Sequence, residues 1–195
     1  VIHPPVDTEF FRPGEGERED YYLTASRLVP YKCTRLVIEA FAQLPQRRLV
    51  VIGDGPEFER LKAIAGPNVS MLGYQPDSMV RQYMQRARAF LFAAVEDFGI
   101  APVEAQACGT PVIAFGAGGV TESVVEGKSG IFFQEQTVES MLGAIQQFER
   151  RPSRFSAQEI RTNALRFGAE RFKQEFRACV EEQVEQPALL ELAVG

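Results

Sequence analysis

The stretch Ala89-Phe90-Leu91-Phe92-Ala93-Ala94-Val95-Glu96-Asp97-Phe98-Gly99-Ile100-Ala101-Pro102-Val103-Glu104 decides the fold. Its apolar opening reads as a buried strand, Gly99 breaks the run, and Pro102 suits the first turn of a helix, where a missing N–H costs nothing. The stretch is therefore a strand, a tight loop and a helix start. Glu96 falls at the carboxyl end of the strand and Glu104 in the first turn of the helix, so two carboxylates from different elements can border one crevice. Free amides at a helix N-terminus suit an anion such as a diphosphate. The same pattern also fits an acidic loop followed by a helix-favouring Glu near the positive end of the helix dipole.

On either side of this stretch the strand-then-helix unit repeats. Strand-like runs are expected over 21–25, 48–52, 69–73, 111–115 and 131–133, with 89–95 between them. Helical periodicity is expected over 35–44, 58–65, from Pro76 through Met84, and over 102–108, 121–125, 138–148 and about 156–184. Strands separated by helices of this length imply α/β architecture, a doubly wound parallel sheet. Residues 1–20, punctuated by Pro4, Pro5, Pro13, Gly14 and Gly16, read as a linker-like lead-in, 21–184 as one Rossmann-like domain, and 185–195 as a loosely held tail. The chain opens at Val1, not at Met, in a proline-rich segment that forbids a helix, which suggests a start within a longer polypeptide.

Bulk properties exclude several classes. The net charge of −5 argues against a dedicated nucleic-acid binder. Cys33, Cys108 and Cys179 are odd in number and widely spaced, which disfavours a disulfide framework and a zinc site and makes a reducing cytoplasm the default. No apolar run approaches the ~20 residues of a membrane span, leaving peripheral contact with an inner membrane surface as the only kind expected. His3 is the sole histidine, so this chain assembles no Ser-His-Asp triad and no multi-histidine metal cage. Neither a G-x-x-x-x-G-K-[ST] loop nor a G-x-G-x-x-G fingerprint is present.

In open parallel sheets ligands bind outside the carboxyl ends of the strands, and the unusual residues cluster in those loops. Arg27 and Lys32 offer a planar fork and a point charge that both suit a diphosphate, or serve as solvated surface cations. Gly53-Asp54-Gly55-Pro56 either lets the backbone approach a ligand or forms a plain turn with Asp54 capping the next helix. Gly118-Gly119, with Glu122 behind, either makes room for a sugar or phosphate or only permits a turn.

Taken together, Ser26-Arg27-Leu28 with Lys32, Gly53-Asp54-Gly55-Pro56, the E-x7-E from Glu96 to Glu104, Cys108-Gly109-Thr110-Pro111-Val112-Ile113 and Gly118-Gly119 with Glu122 resemble the C-terminal half of retaining GT-B glycosyltransferases, family 4. The likeness covers about residues 1–180, and Pro4-Pro5-Val6-Asp7-Thr8 and Phe167-Gly168-Ala169-Glu170-Arg171-Phe172 are similar to members that transfer mannose. The resemblance implies a donor-binding domain that helps transfer a hexosyl unit from a nucleotide diphosphate sugar, with retention, to a glycan or lipid-linked acceptor held by an N-terminal domain. By resemblance Arg27 and Lys32 hold the diphosphate, Glu96 contacts donor-sugar hydroxyls, and Glu104 accepts from the ribose. Amides near Gly99, Ile100 and Ala101 complete the phosphate cradle; Gly53 and Gly55 border the donor; and Gly73, Tyr74 and Met79 lie by the base. No metal or other cofactor is implied, and the chain by itself is expected to bind donor without turnover. Cys33 departs from the family, which usually carries Gly or a small polar residue there. Two alternatives stand beside this reading, a non-catalytic nucleotide-sugar-binding regulatory module and a hexose-nucleotide epimerase of similar architecture.

Overall fold

The computed structural model describes residues 1–185, so the tail expected over 185–195 lies, beyond Glu185, outside the described residues. Six strands form one parallel sheet: β1 (Tyr21–Ala25), β2 (Arg48–Ile52), β3 (Val69–Met71), β4 (Ala89–Phe92), β5 (Val112–Phe115) and β6 (Gly130–Phe133). The spatial order is β3-β2-β1-β4-β5-β6, and every pairing is parallel. The chain thus builds one half of the sheet outward from β1, crosses back, and builds the other half from β4. That reversal opens a crevice between the loops leaving β1 and β4.

Side chains alternate across the sheet, and each face takes its own helices. Tyr21, Leu23, Val50, Ile52, Phe90 and Phe92 point to one face. There they meet apolar residues of α3 (Asp77–Arg86), α4 (Ile100–Ala107) and α7 (Ala157–Leu165). Tyr22, Leu49, Val51, Ala89 and Leu91 point to the other, against α1 (Thr34–Ala42), α2 (Phe58–Ile64) and α6 (Val138–Arg150). Two further helices complete the set, the four-residue α5 (Val120–Ser123) and the long α8 (Ala169–Glu185). No helix among the described residues is long and apolar enough to cross a membrane.

The lead-in has no regular element of its own, yet it is strapped to the body. Val6 and Phe11 are buried, and the Val6 N–H donates to the Phe167 carbonyl at 2.9 Å. Arg161 donates to the carbonyls of Thr8 and Phe11, while Arg18 donates to those of Ala87 and Gly109.

Three boundaries differ from the sequence expectation in ways that shape the rim. The strand expected over 89–95 ends at Phe92, because the Ala93 carbonyl accepts from the Gln136 side-chain amide at 2.8 Å in place of a ladder partner. α4 starts at Ile100, with Gly99 at φ 84° as its N-cap, so Pro102 is its third residue and Glu104 lies in its second turn, not its first. The helical stretch expected over 156–184 divides into α7 and α8 around Phe167 and Gly168, where the lead-in's isolated bridge from Val6 to Gly168 inserts.

Candidate functional site

The crevice at the carboxyl ends of β1 and β4 is a cleft of about 650 Å³. A second cavity of about 420 Å³ adjoins it, sharing Ala25, Ser26, Ala101 and Glu104 as the common wall. Lys32 and Glu96 stand over the larger space, and Arg27, Gly53 and Tyr74 over the smaller. Glu104, on the inner face of α4, touches both.

Lys32 ends a one-turn 3-10 helix, Pro30–Lys32, in the loop after β1. Its ammonium pairs with Glu96 Oε1 from the loop after β4, the two side chains being only 16% and 22% exposed. The Lys32 ammonium also sits 5.2 Å from the centre of the Tyr31 ring. Two residues 64 positions apart therefore close the mouth of the cleft with one ion pair. Arg27, earlier in the same loop, is exposed, and its guanidinium makes no ion pair or hydrogen bond with the described residues. Of the two cations expected to face an anion, one is held by a carboxylate and the other is free.

Glu104 has the opposite surroundings. No hydrogen-bond donor meets its side chain among the described residues, and burial, reinforced by the nearby Asp77 carboxylate, pushes its carboxyl up to about 7. A carboxylate half ionised near neutral pH and facing two cavities is a ready acceptor for ligand hydroxyls. Beside it the first amides of α4, at Ile100 and Ala101, have no side-chain cap, and both residues line the larger space.

The glycines of these loops are set against neighbouring backbone. Gly53 has φ 129°, and a Cβ there would lie 1.8 Å from the Ser26 carbonyl oxygen; a Cβ on Gly55 would lie 2.4 Å from that of Leu28. They admit the neighbouring backbone of the Arg27 loop, and Gly53 also borders the smaller cavity. Asp54 does not cap α2: its side chain accepts from the Gly55 N–H at 2.7 Å and tightens the turn. Gly118 and Gly119 repeat the arrangement under the other charged loop. A Cβ on Gly119 would lie 2.0 Å from the Asp97 carbonyl oxygen, and its N–H donates to the Glu96 carbonyl at 2.8 Å.

Gly73 is not among the residues lining the smaller cavity, but its carbonyl accepts at 2.8 Å from the N–H of Gly53, which is; Tyr74 is 75% exposed on that lining. Met79 is displaced from the site. It lines a separate cavity beside Tyr21 and Arg48, while its neighbour Val80 and Met84 line the smaller cavity. One residue of helical rotation, about 100°, makes that difference. Glu122 also faces elsewhere, its carboxylate 2.5 Å from His3 Nε2, and the His3 ring packs 5.4 Å from Phe98 and 5.5 Å from Phe167. His3 thus ties the lead-in to the back of the Glu96 loop and stands away from the cleft.

Cleft-lining residues that were not among the expected site residues include Pro4, Ser26, Tyr31 and Val80. Ser26 carried a usable signal as the first residue beyond a strand; Pro4 stood in a stretch quoted for the resemblance, but only the strap of the lead-in brings it to the rim. Cys33, the departure from the resemblance, has φ 53° and is the sole non-glycine at positive φ among the described residues. A glycine is favoured at this position because the backbone between the Lys32 turn and α1 passes through the left-handed region.

The profile of the family described as glycosyl transferases group 1 matches residues 5–166. The D-inositol 3-phosphate glycosyltransferase of Mycobacterium marinum is 32% identical over 167 residues, which is 74% of this chain and 36% of that protein. Its counterpart in Mycobacterium avium is 31% identical over 186 residues, 84% of this chain and 44% of that one. The chain therefore spans less than half the length of these curated relatives. In structure it is similar to Anabaena Alr3699/HepE in complex with UDP-glucose, with a TM-score of 0.82 and 24% identity, over 93% of this chain and 57% of that one. That likeness is one of fold; the sequence profile, which covers most of the chain, carries the further step that this chain belongs to the group 1 glycosyl transferases.

Proposed function

We propose that this chain is the donor-binding domain of a retaining GT-B transferase of family 4, taking a hexosyl unit from a nucleoside diphosphate hexose. The observation that carries the reading is the meeting of Lys32 and Glu96 at the mouth of a cleft whose wall holds the unpartnered Glu104. The diphosphate takes Lys32 from Glu96, gains Arg27, and sets its oxygens against the amides of Ile100 and Ala101. Glu96, released, accepts from hydroxyls of the sugar. Glu104 accepts from the ribose, and the base lies in the smaller cavity beside Tyr74. As the glycosidic bond to phosphate breaks, negative charge grows on the leaving diphosphate, and the two cations stabilise it most strongly where water is excluded. On this reading the cations and the helix terminus do the work that a divalent metal does elsewhere, and the site takes no metal.

The curated relatives are glycosyltransferases by name and the structural neighbour holds UDP-glucose, which supports a nucleotide sugar as donor. Mannose is the sugar proposed, on the likeness of Pro4-Pro5-Val6-Asp7-Thr8 to mannose-transferring members. The acceptor, a glycan or a lipid-linked sugar, is assigned to a further domain, in keeping with the fraction of the relatives that this chain spans.

Calorimetric titration with UDP, GDP and ADP tests the reading. One of them should bind the folded chain with Kd below about 1 mM, and Arg27→Ala with Lys32→Ala should weaken it at least about tenfold. Failure of all three to bind at that level overturns it. In a full-length protein, Glu96→Ala should abolish transfer, whereas a purely regulatory module would leave transfer intact.

A further inference from the structure

We propose that the opposite rim of the sheet carries a second anion site, a cleft between Arg150, Arg151 and Arg154 that binds a phosphate-bearing anion. The cleft, of about 510 Å³, lies between the turn before β6 and the end of α6. Gly127 precedes β6, which starts at Gly130, and α6 returns antiparallel to the strand, so both meet at the amino ends of the strands, across the sheet from the donor cleft. Pro152 cannot continue α6, and the chain turns through the short helix Pro152–Arg154. Three arginines thereby line one cleft together with Ile131 and Phe155.

None of the three makes an ion pair or a hydrogen bond with the described residues, in a chain where acidic residues outnumber basic ones 26 to 21. Arg47, Arg88 and Arg171, by contrast, each have a carboxylate partner. The one carboxylate on the cleft, Glu126, accepts from the Phe132 N–H at 2.9 Å. Arg154 lies flat against Gly127, where a Cβ would come within 2.7 Å of Nη2, so the turn is shaped to seat that guanidinium. Arg150 and Arg151 also answer the negative end of the α6 dipole. Arg154 lies beyond that helix and has no such role. Planar forks that line one cleft, whose one carboxylate is engaged by a backbone amide, match phosphate oxygens, and the volume leaves room for the group esterified to them.

The phosphate can belong to a soluble ester or to a lipid headgroup, and two measurements separate them. Glycerol 3-phosphate is titrated into protein carrying Arg27→Ala and Lys32→Ala, which silences the donor cleft. The chain is also sedimented with phosphatidylcholine vesicles with and without phosphatidylglycerol. At least one ligand should bind, and R150Q/R151Q/R154Q should weaken that binding at least about tenfold. R12Q/R60Q/R177Q, which removes the same charge from exposed positions elsewhere, should weaken it less than about twofold. Binding of glycerol 3-phosphate alone assigns a soluble ester, and binding of the charged vesicles alone assigns a lipid headgroup. No binding in either arm, or equal losses in the two triple variants, overturns the site. All six positions are exposed, so unchanged melting curves verify that the variants fold.

Discussion

The loops after β1 and β4 and the loops after β2 and β5 lie side by side on one rim, yet they are built to opposite rules. The first pair carries charge: Arg27 and Lys32 on one loop, Glu96 on the other. The second pair carries glycine, and its backbone passes so close beneath the first that a single Cβ would overlap it. The charged loops carry the residues proposed to bind the donor, and the glycine loops pack beneath them where Lys32 reaches Glu96. Short glycine turns thus act here as spacers, and the difference between the pairs separates residues proposed to bind from residues that position them.

The largest effect is expected where spacer contacts are tightest. Gly53→Ala places a Cβ 1.8 Å from a carbonyl oxygen at φ 129°, and should cost about 3 kcal/mol or more in denaturant unfolding. Gly119→Ala should approach it. Gly143→Ala, in α6 with nothing within 4 Å, should instead stabilise the chain by about 0.5–1 kcal/mol. If all three behaved alike, the spacer account would be wrong.

Next come the charged loops. Lys32→Ala should weaken nucleoside diphosphate binding about ten- to a hundredfold, the equivalent of one charge-assisted contact, with little change in melting temperature. Glu96→Gln should strengthen binding of the bare diphosphate, since it frees Lys32 from its partner, while lowering transfer in a full-length protein. A loss of diphosphate affinity in Glu96→Gln would show that the ion pair organises the site and does not compete with ligand.

Glu104 makes a pH-dependent prediction. Its carboxyl is raised in the folded chain from the ordinary value of 4.5 to about 7, so the contribution to stability is full below the ordinary value and lost as pH rises through 7. Glu104→Gln should flatten that part of the stability profile. Ribose hydroxyls donate best to the ionised group, so donor affinity should fall several-fold from about pH 8 to about pH 6, and in Glu104→Gln it should not. The smallest effect is expected at Cys33→Gly, where relief of the left-handed strain, offset by chain entropy, should stabilise the fold by about 0.5 kcal/mol.

Much of the fold was legible. β1 and β2 match their expected ranges residue for residue, because continuous apolar runs bounded by charge and glycine leave little choice in a sheet buried on both faces. The bounds of β4 and α4 were less legible, since a side-chain amide from a loop 43 residues away ends the strand and a left-handed glycine, rather than Pro102, starts the helix. Within the site, Arg27, Lys32, Glu96 and Glu104 do reach one rim. Met79 does not, since periodicity places residues on a helix face only to within a turn, and a neighbour at 100° looks out on another cavity.

Local chemistry alone determined the alternation of strands and helices, the parallel sheet and the charged residues at the strand ends, because each is written in spacing over a few residues. Tertiary structure decided the rest. The strand order that sets β1 beside β4, the pairing of Lys32 with Glu96 and the burial that lifts the Glu104 carboxyl all depend on contacts between distant segments, whose closure no short window of sequence encodes.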